Sequence, residues 1–331
     1  MSNFSLSILD QSPIPEGSSA GDALRNTIDL ARLADGLGYK RYWVAEHHGT
    51  SGLACNSPEA LIGPIAAATS NLRVGSGGIM LPHYSPLKVA ETFSMLSGLF
   101  PGRIDLGIGR AAGTSPVVAF ALQRDRRQNA PNDFPEQLDE LLALLANRPL
   151  PDKRFAKLVS LHFESPEVSL LGSSQDSCVW AAELGLPYVF ADFINPQGAP
   201  MARYYREHFH PSELLQQPRT SIAVWAICAE TDAEAERLSL SFRMVMINLL
   251  FRGKTGPVPT VERAERLLAE EGLIYSQTPP GRRIIAGTPE HVRSAIEAVA
   301  QDYEADEVFI VNIMHSHAAR RRSYELIAQA F

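Results

Sequence analysis

The chain of 331 residues carries a net charge of −7, and 45% of its residues are hydrophobic. A chain of this length can bury roughly three quarters of the surface that its unfolded form exposes, and its acidic balance without a strongly basic segment speaks against a nucleic-acid groove or a face for anionic membranes. A small molecule is the expected substrate. The three cysteines, Cys55, Cys178 and Cys228, are widely spaced and form no CxxC pair, which fits a reducing cytoplasm rather than a disulfide framework. Met1 to Ile8 has no basic leader region, so no signal peptide is expected. No run approaches the roughly 18 apolar residues of a membrane span.

The first predicted strand is Phe4 to Leu9, with Asp10 at its end. A helix follows over Asp22 to Leu37, where Leu24, Ile28, Ala31, Ala34 and Leu37 recur at helical spacing and Gly38 supplies the stop. The second strand, Tyr39 to Ala45, runs into Glu46, His47 and His48. A carboxylate beside two imidazoles at a strand end is an acid–base constellation, although one such histidine is often only a hydrogen-bonded side chain. Neighbours on a strand point to opposite faces, so His47 and His48 are not expected to share a metal ion.

Arg73 to Gly113 reads as a β-α-β unit. Its strands are Leu72 to Met80 and Arg103 to Ile108, and the helix between them carries Leu87, Ala90, Phe93, Leu96 and Leu99. Gly77 and Gly78 lie inside the first of these strands, where glycine costs stability, so a close approach by another backbone or by a flat ligand is expected there. Arg110 stands just past the second strand, placed to receive an anion. The glycines of GIGRAAG (Gly107 to Gly113) are spaced GxGxxxG, not GxGxxG, and no acidic residue ends a following strand at the distance a dinucleotide fold requires. The planar fork of Arg110 suits a phosphate; the alternative is a plain glycine-rich turn.

Ala111 to Glu167 is too long for a plain connection and is expected to be an insertion around one helix, Pro135 to Ala146. The fifth strand, Val168 to Leu171, leads into Gly172, Ser173, Ser174 and Ser177 at the start of a helix, whose free N–H groups and dipole could hold a phosphate. Taken alone these serines are good caps; the adjacency of this strand to the Arg110 strand would put both on one rim. The sixth strand is Tyr188 to Ala191, ending at Asp192, and the seventh is Thr220 to Cys228. Asp10 and Asp192 are candidates by position only. A second insertion, Thr231 to Arg283, is expected to hold helices near Ala233 to Phe251 and Val261 to Glu270. Trp225 and Phe251 could stack on an aromatic ligand or simply pack in the core.

Thr288 and Pro289 open a helix with Val292, Ala295, Ile296 and Val299 on one face. The eighth strand, Glu307 to Val311, precedes a last helix, His317 to Phe331, in which Arg320 to Arg322 read as a solvated face. His315 and His317 could converge after that strand, which keeps a metal-dependent barrel hydrolase open. Eight alternating β-α pairs predict an α/β (β/α)8 TIM barrel over residues 1–331 as one domain, with insertions after strands 4 and 7; a doubly wound open sheet is the competing arrangement.

The ordered motifs YWVAEHH, NSPEALIG, RVGSGGIMLP, GRIDLGIGRA and LLGSSQDSCVWAAELGLP, followed by GTPEHV, resemble the bacterial luciferase-like flavin monooxygenase family, in its short single-chain subgroup. The resemblance implies a dimeric (β/α)8 barrel that takes reduced FMN from a separate flavin reductase and reacts it with O2 through a flavin C4a-hydroperoxide to oxygenate a small organic substrate. It places the FMN phosphate on Arg110 with Ser173, Ser174 and Ser177, and the isoalloxazine over Gly77 and Gly78, where relatives have a non-prolyl cis peptide. It also makes His47 the catalytic-site histidine and proton donor, sets Glu46 beside it and puts Asn56 at the pocket wall. The reactive cysteine of luciferase proper falls at Gly109, so light emission is not implied. A flavin-binding protein without turnover and an F420-dependent hydride-transfer enzyme of the same family remain the alternatives.

Overall fold

Residues 4–110, 115–122, 133–150, 152–155, 164–270 and 283–331 are described by a computed structural model of the chain. Short apolar strands alternating with helices pair in parallel, because each helix returns the chain to the same end of the sheet. The strands are β1 (Ser5–Asp10), β2 (Arg41–Val44), β3 (Arg73–Met80), β4 (Ile104–Gly109), β5 (Glu167–Gly172), β6 (Tyr188–Ala191), β7 (Thr220–Cys228), β8 (Ile284–Gly287) and β9 (Glu307–Val311). β1 to β7 pair in chain order, and β9 joins β7 back to β1, every pair parallel. Eight strands therefore close into a barrel, which rules out the open sheet. β8 was not anticipated. It pairs with the upper half of β7, where Trp225 meets Val311 of β9 and Ile284 of β8, and its four residues are too few to show a period.

The helices are α1 (Ala20–Leu37), α2 (Pro58–Ala68), α3 (Pro86–Leu99), α4 (Pro116–Leu122), α5 (Phe134–Leu145), α6 (Gln175–Glu183), α7 (Ala199–Glu207), α8 (Asp232–Arg252), α9 (Val261–Glu270), α10 (Pro289–Asp302) and α11 (His317–Ala330). α1 begins on a reciprocal capping box between Ser19 and Asp22 and ends at Gly38 with φ of 82°, the left-handed geometry that glycine adopts freely. α10 starts as expected, with the Thr288 hydroxyl accepting from the His291 N–H and Pro289 in the first turn. α4 and α5 lie in the first long segment and α8 and α9 in the second. Residues 111–114, the tail of the GIGRAAG motif up to Gly113, lie outside the described residues, as do 123–132, 156–163 and 271–282.

Alternation along the strands divides the core in two. Ile8, Val44, Val74, Leu106 and Leu170 pack outward beneath the helices, while Leu9, Trp43, Val189, Ala223, Trp225 and Phe309 form a second cluster inside the barrel. The N-terminal end of the lumen is closed by charge rather than by apolar side chains. Buried Arg41 lies 2.7 Å from Asp105 and 3.1 Å from Glu307; Asp105 also accepts from Trp43 Nε1 at 2.9 Å and Arg73 Nε at 2.8 Å, and Ser7 Oγ donates to Glu307. Each charge here has partners on several strands, so removing one member leaves the others buried and uncompensated.

One basic side chain contradicts its expected exposure. Arg320 is 2% exposed; its Nη2 lies 2.5 Å from Asp10 Oδ1 and its Nε donates to the Asn312 carbonyl. Three consecutive residues on a helix span most of its circumference, so a basic triplet cannot face solvent throughout. Arg321 and Arg322 pair instead with Asp29 and Glu230 nearer the surface. Burial opposes the Asp10 charge, but Arg320 beside it, with hydrogen bonds from Tyr42, Arg320 and Ser12, holds the carboxyl below its usual range. Asp10 is thereby a core anchor.

Candidate active site

A cavity of about 260 Å³ opens at the C-terminal ends of the strands, the face on which barrel enzymes place their chemistry because the loops that vary meet there. The sequence-predicted residues Glu46, His47, Gly77, Gly78, Arg110, Ser173, Ser174 and Ser177 all line it. Asn56 does not: it is exposed and absent from the lining.

At one pole stand Glu46 and His47, just beyond β2. Glu46 is fully buried, and its carboxylate is held from three directions: His48 Nε2 lies 2.6 Å and the Tyr84 hydroxyl 2.9 Å from Oε1, while the Met80 N–H donates to Oε2 at 3.0 Å. Tyr84 was not read from the sequence; it lies 38 residues away along the chain, and no local pattern links the two. Burial and then the Glu46 charge push the Tyr84 phenol well above its ordinary pKa. The His47 backbone N–H donates to the Cys55 carbonyl at 3.0 Å, while its ring Nδ1 is buried with no hydrogen-bond partner among the described residues. Burial first, and then the neighbouring His48, push the His47 pKa down to about 4. At neutral pH His47 is thus an uncharged imidazole, able to donate from one nitrogen and accept at the other.

The floor is the end of β3. The Gly77–Gly78 peptide bond is cis, and the register with β4 shifts between Gly77 and Ile79. The cause of each glycine lies in its protein neighbours. A Cβ on Gly78 would come 2.8 Å from the Gly107 carbonyl oxygen, and one on Gly77 would come 2.4 Å from a Leu9 methyl. The expected close backbone approach holds for Gly78; for Gly77 the neighbour is a lumen side chain.

The opposite pole is built by the ends of β4 and β5, which are hydrogen-bonded neighbours. Ser174 is the N-cap of α6, yet its side chain makes no capping hydrogen bond, so the first-turn N–H groups are free of a side-chain cap. The Ser177 hydroxyl is fixed by the Ser174 carbonyl at 2.9 Å and Tyr188 at 3.1 Å. A Cβ on Gly172 would come 2.0 Å from that hydroxyl, so the strand must end in glycine for Ser177 to turn under the loop. Arg110 reaches the same place, 2.7 Å from Asp176 in the first turn of α6 and over the Trp180 ring at 5.2 Å. Asp176 carries no sequence signal of this pairing, since Arg110 lies 66 residues away along the chain. Arg110 and Asp176 are 38% and 58% exposed, and such a pair is weak enough for an incoming anion to displace. Asn195 Nδ2 donates to the Ser173 carbonyl at 3.2 Å, tying this loop to the one after β6 that brings Phe193 and Ile194 into the cavity wall.

Other candidates fall elsewhere. His315 meets the Glu16 carbonyl and His317 the Asp29 carboxylate, so they do not converge, and among the described residues no three metal-ligating side chains do. Asp192 accepts from Tyr303 and lies 3.4 Å from Arg283. Trp225 packs between Phe193 and Phe242 in the barrel, whereas Phe251 is 64% exposed. The three cysteines are buried and unpaired. No described helix is long and apolar enough to cross a membrane. Three irregular strips are joined by backbone hydrogen bonds: Ile14 N–H donates to Gly52 O, Val258 N–H to Ile14 O and Glu16 N–H to Val258 O, each at 2.8 Å.

The sequence model of the family described as "Luciferase-like monooxygenase" matches residues 3–306. The uncharacterized protein YwcH of Bacillus subtilis (strain 168) is 44% identical over 334 residues, covering 99% of each chain. Among solved structures, apo-MsnO8 superposes with a TM-score of 0.88 at 38% identity, covering 99% of this chain and 98% of that one. The oxygenating constituent of 3,6-diketocamphane monooxygenase from Pseudomonas putida, solved with FMN, shares the fold with a TM-score of 0.75 at 21% identity, covering 98% of both chains.

Proposed function

The chain belongs to the luciferase-like monooxygenase family, and from that footing we propose that it is an FMN-dependent monooxygenase that uses reduced FMN and O2 to oxygenate a small organic substrate. The observation that carries the reading is the convergence of two poles in one cavity, an anion pole at Arg110 and the α6 N-terminus and an imidazole–carboxylate pole at His47 and Glu46. Their residues fit a flat ring with a phosphate tail. Among the described residues the α6 N-terminus lacks a side-chain cap, Arg110 is paired with an exposed carboxylate and lies over the Trp180 ring, and His47 Nδ1 is a buried polar atom without a partner.

In this reading Arg110, Ser173, Ser174 and the first-turn N–H groups of α6 hold the phosphate, Ser177 shapes their loop, and Gly77 and Gly78 form the floor beneath the ring. Reduced FMN held there would supply the activation of O2, with one oxygen atom passing to the substrate. His47, neutral at working pH, offers a hydrogen bond at the reacting edge. Glu46 positions the rim by gripping His48, Tyr84 and the Met80 N–H. The apolar walls, Leu9, Val189 and Phe193 among them, keep out water that would divert the reaction to peroxide. Residues 1–331 act as one domain, in a cytoplasmic homodimer fed by a separate flavin reductase. Anaerobic titration with reduced FMN and with reduced F420 tests the cofactor. Saturable binding of reduced FMN in preference to F420 is expected, and the reverse preference would overturn the FMN assignment in favour of hydride transfer.

A further inference from the structure

We propose that Met80 is a self-oxygenation site: when reduced FMN turns over without an organic substrate, the Met80 thioether captures the oxygen atom and becomes the sulfoxide. The inference rests on the oxygenating function proposed above. Met80 ends β3, two residues beyond Gly78, and its N–H is pinned to Glu46. Met80 lines the cavity together with Glu46, His47 and Gly109. A Cβ on Gly109 would come 3.2 Å from Met80 Sδ, so the sulfur occupies the space that a side chain at 109 would claim. Among the described residues no other methionine or cysteine lines the cavity. Met244, Met246 and Met314 are buried elsewhere, and Met95 lies on α3 and is 53% exposed.

The chemistry closes without a further reagent. A sulfur lone pair attacks the terminal oxygen of a hydroperoxide, ROOH, formed at the bound flavin; the S–O bond forms, the O–O bond breaks, and the proton leaves with ROH. Sulfur is oxidised by two electrons and the hydroperoxide is reduced by two. The product puts a polar, chiral S=O group in place of a pliable apolar one, in the wall that an organic substrate would contact. A bound substrate shields the thioether, so modification marks uncoupled turnover.

The test uses the purified full-length protein with reduced FMN, isotope-labelled O2 and catalase, without organic substrate, followed by trypsin and mass spectrometry. Met80 falls in the peptide Val74–Lys88 and Met95 in Val89–Arg103. The expected result is one labelled oxygen atom on Val74–Lys88 and none on Val89–Arg103, whereas hydrogen peroxide added to flavin-free protein modifies exposed Met95 first. In Met80→Leu the label should vanish from Val74–Lys88; its persistence would put the oxidation on another residue and overturn the proposal. Equal labelling of both peptides, or an unlabelled Val74–Lys88 after the bound FMN has been oxidised, would also overturn it while leaving the monooxygenase reading intact. Failure of that reading is seen separately, as absence of reduced-FMN binding in the same sample before oxygen is admitted, and it removes this proposal with it.

Discussion

Replacing Arg110 by alanine should weaken FMN binding and leave riboflavin binding unchanged, because the two ligands differ only in the phosphate. A charge-assisted hydrogen bond to a phosphate contributes about 1.5–3 kcal/mol. Against this stands the Arg110–Asp176 pair at 2.7 Å, which the phosphate must displace; with both partners substantially exposed, that pair is worth about 0–1 kcal/mol. The net loss in Arg110→Ala is then about 0.5–3 kcal/mol, roughly 2- to 150-fold in Kd. Asp176→Asn removes the competitor and should tighten FMN by up to about fivefold, again without touching riboflavin. Both effects should shrink in high salt, since screening acts on exposed charges. Fluorescence titrations of the two variants with FMN and riboflavin, at low and high ionic strength, provide the measurement. Equal weakening of FMN and riboflavin by Arg110→Ala, or weaker FMN binding in Asp176→Asn, would refute the phosphate assignment.

The remaining predictions concern the other pole and the floor. His47→Ala should bind reduced FMN normally but lose substrate oxygenation in favour of peroxide release; unchanged coupling in a peroxide assay would remove His47 from the reaction. The depressed His47 pKa also carries a stability prediction. Between the ordinary value near 6.5 and about 4 the unfolded chain binds the proton and the folded one does not, so stability falls as pH drops through that window, by up to about 2–3 kcal/mol at its lower end. Urea unfolding at both ends of the window should show this slope in the wild type and a shallower one in His47→Gln; equal slopes would contradict it. Gly78→Ala should destabilise the fold by about 1–3 kcal/mol because its Cβ meets the Gly107 backbone, whereas Gly109→Ala meets only the movable end of Met80 and should cost less than about 1 kcal/mol. Thermal unfolding ranks the two, and a reversed order would be contrary to the packing described.

The eight barrel strands were legible because each is an apolar run bounded by turn residues, with Gly38 and the Thr288–Pro289 pair marking helix ends. β8 was not, since Ile284 to Gly287 borrows its conformation from β7 and carries no period of its own. The grouping of Arg110 with Ser173, Ser174 and Ser177 on one rim was readable because the motif is local to two adjacent strand ends. What escaped were the partners that tertiary structure chooses: Tyr84 on Glu46, Asp176 on Arg110 and Arg320 on Asp10. The glycines were correctly seen to need a cause, yet that cause was partly a Leu9 side chain, which sequence spacing cannot point to. Asn56 was placed at the pocket wall through family resemblance alone, and it is exposed and absent from the cavity lining.

The central claim is that this cavity holds reduced FMN and directs its reaction with oxygen. Rapid mixing of the anaerobic protein–reduced FMN complex with O2, followed by absorbance, tests it directly. The account predicts an oxygenated flavin species that outlives any formed by free reduced FMN and whose lifetime shortens in His47→Ala. Oxidised FMN and hydrogen peroxide appearing at the rate of free reduced flavin, or a bound flavin inert to oxygen, would contradict it.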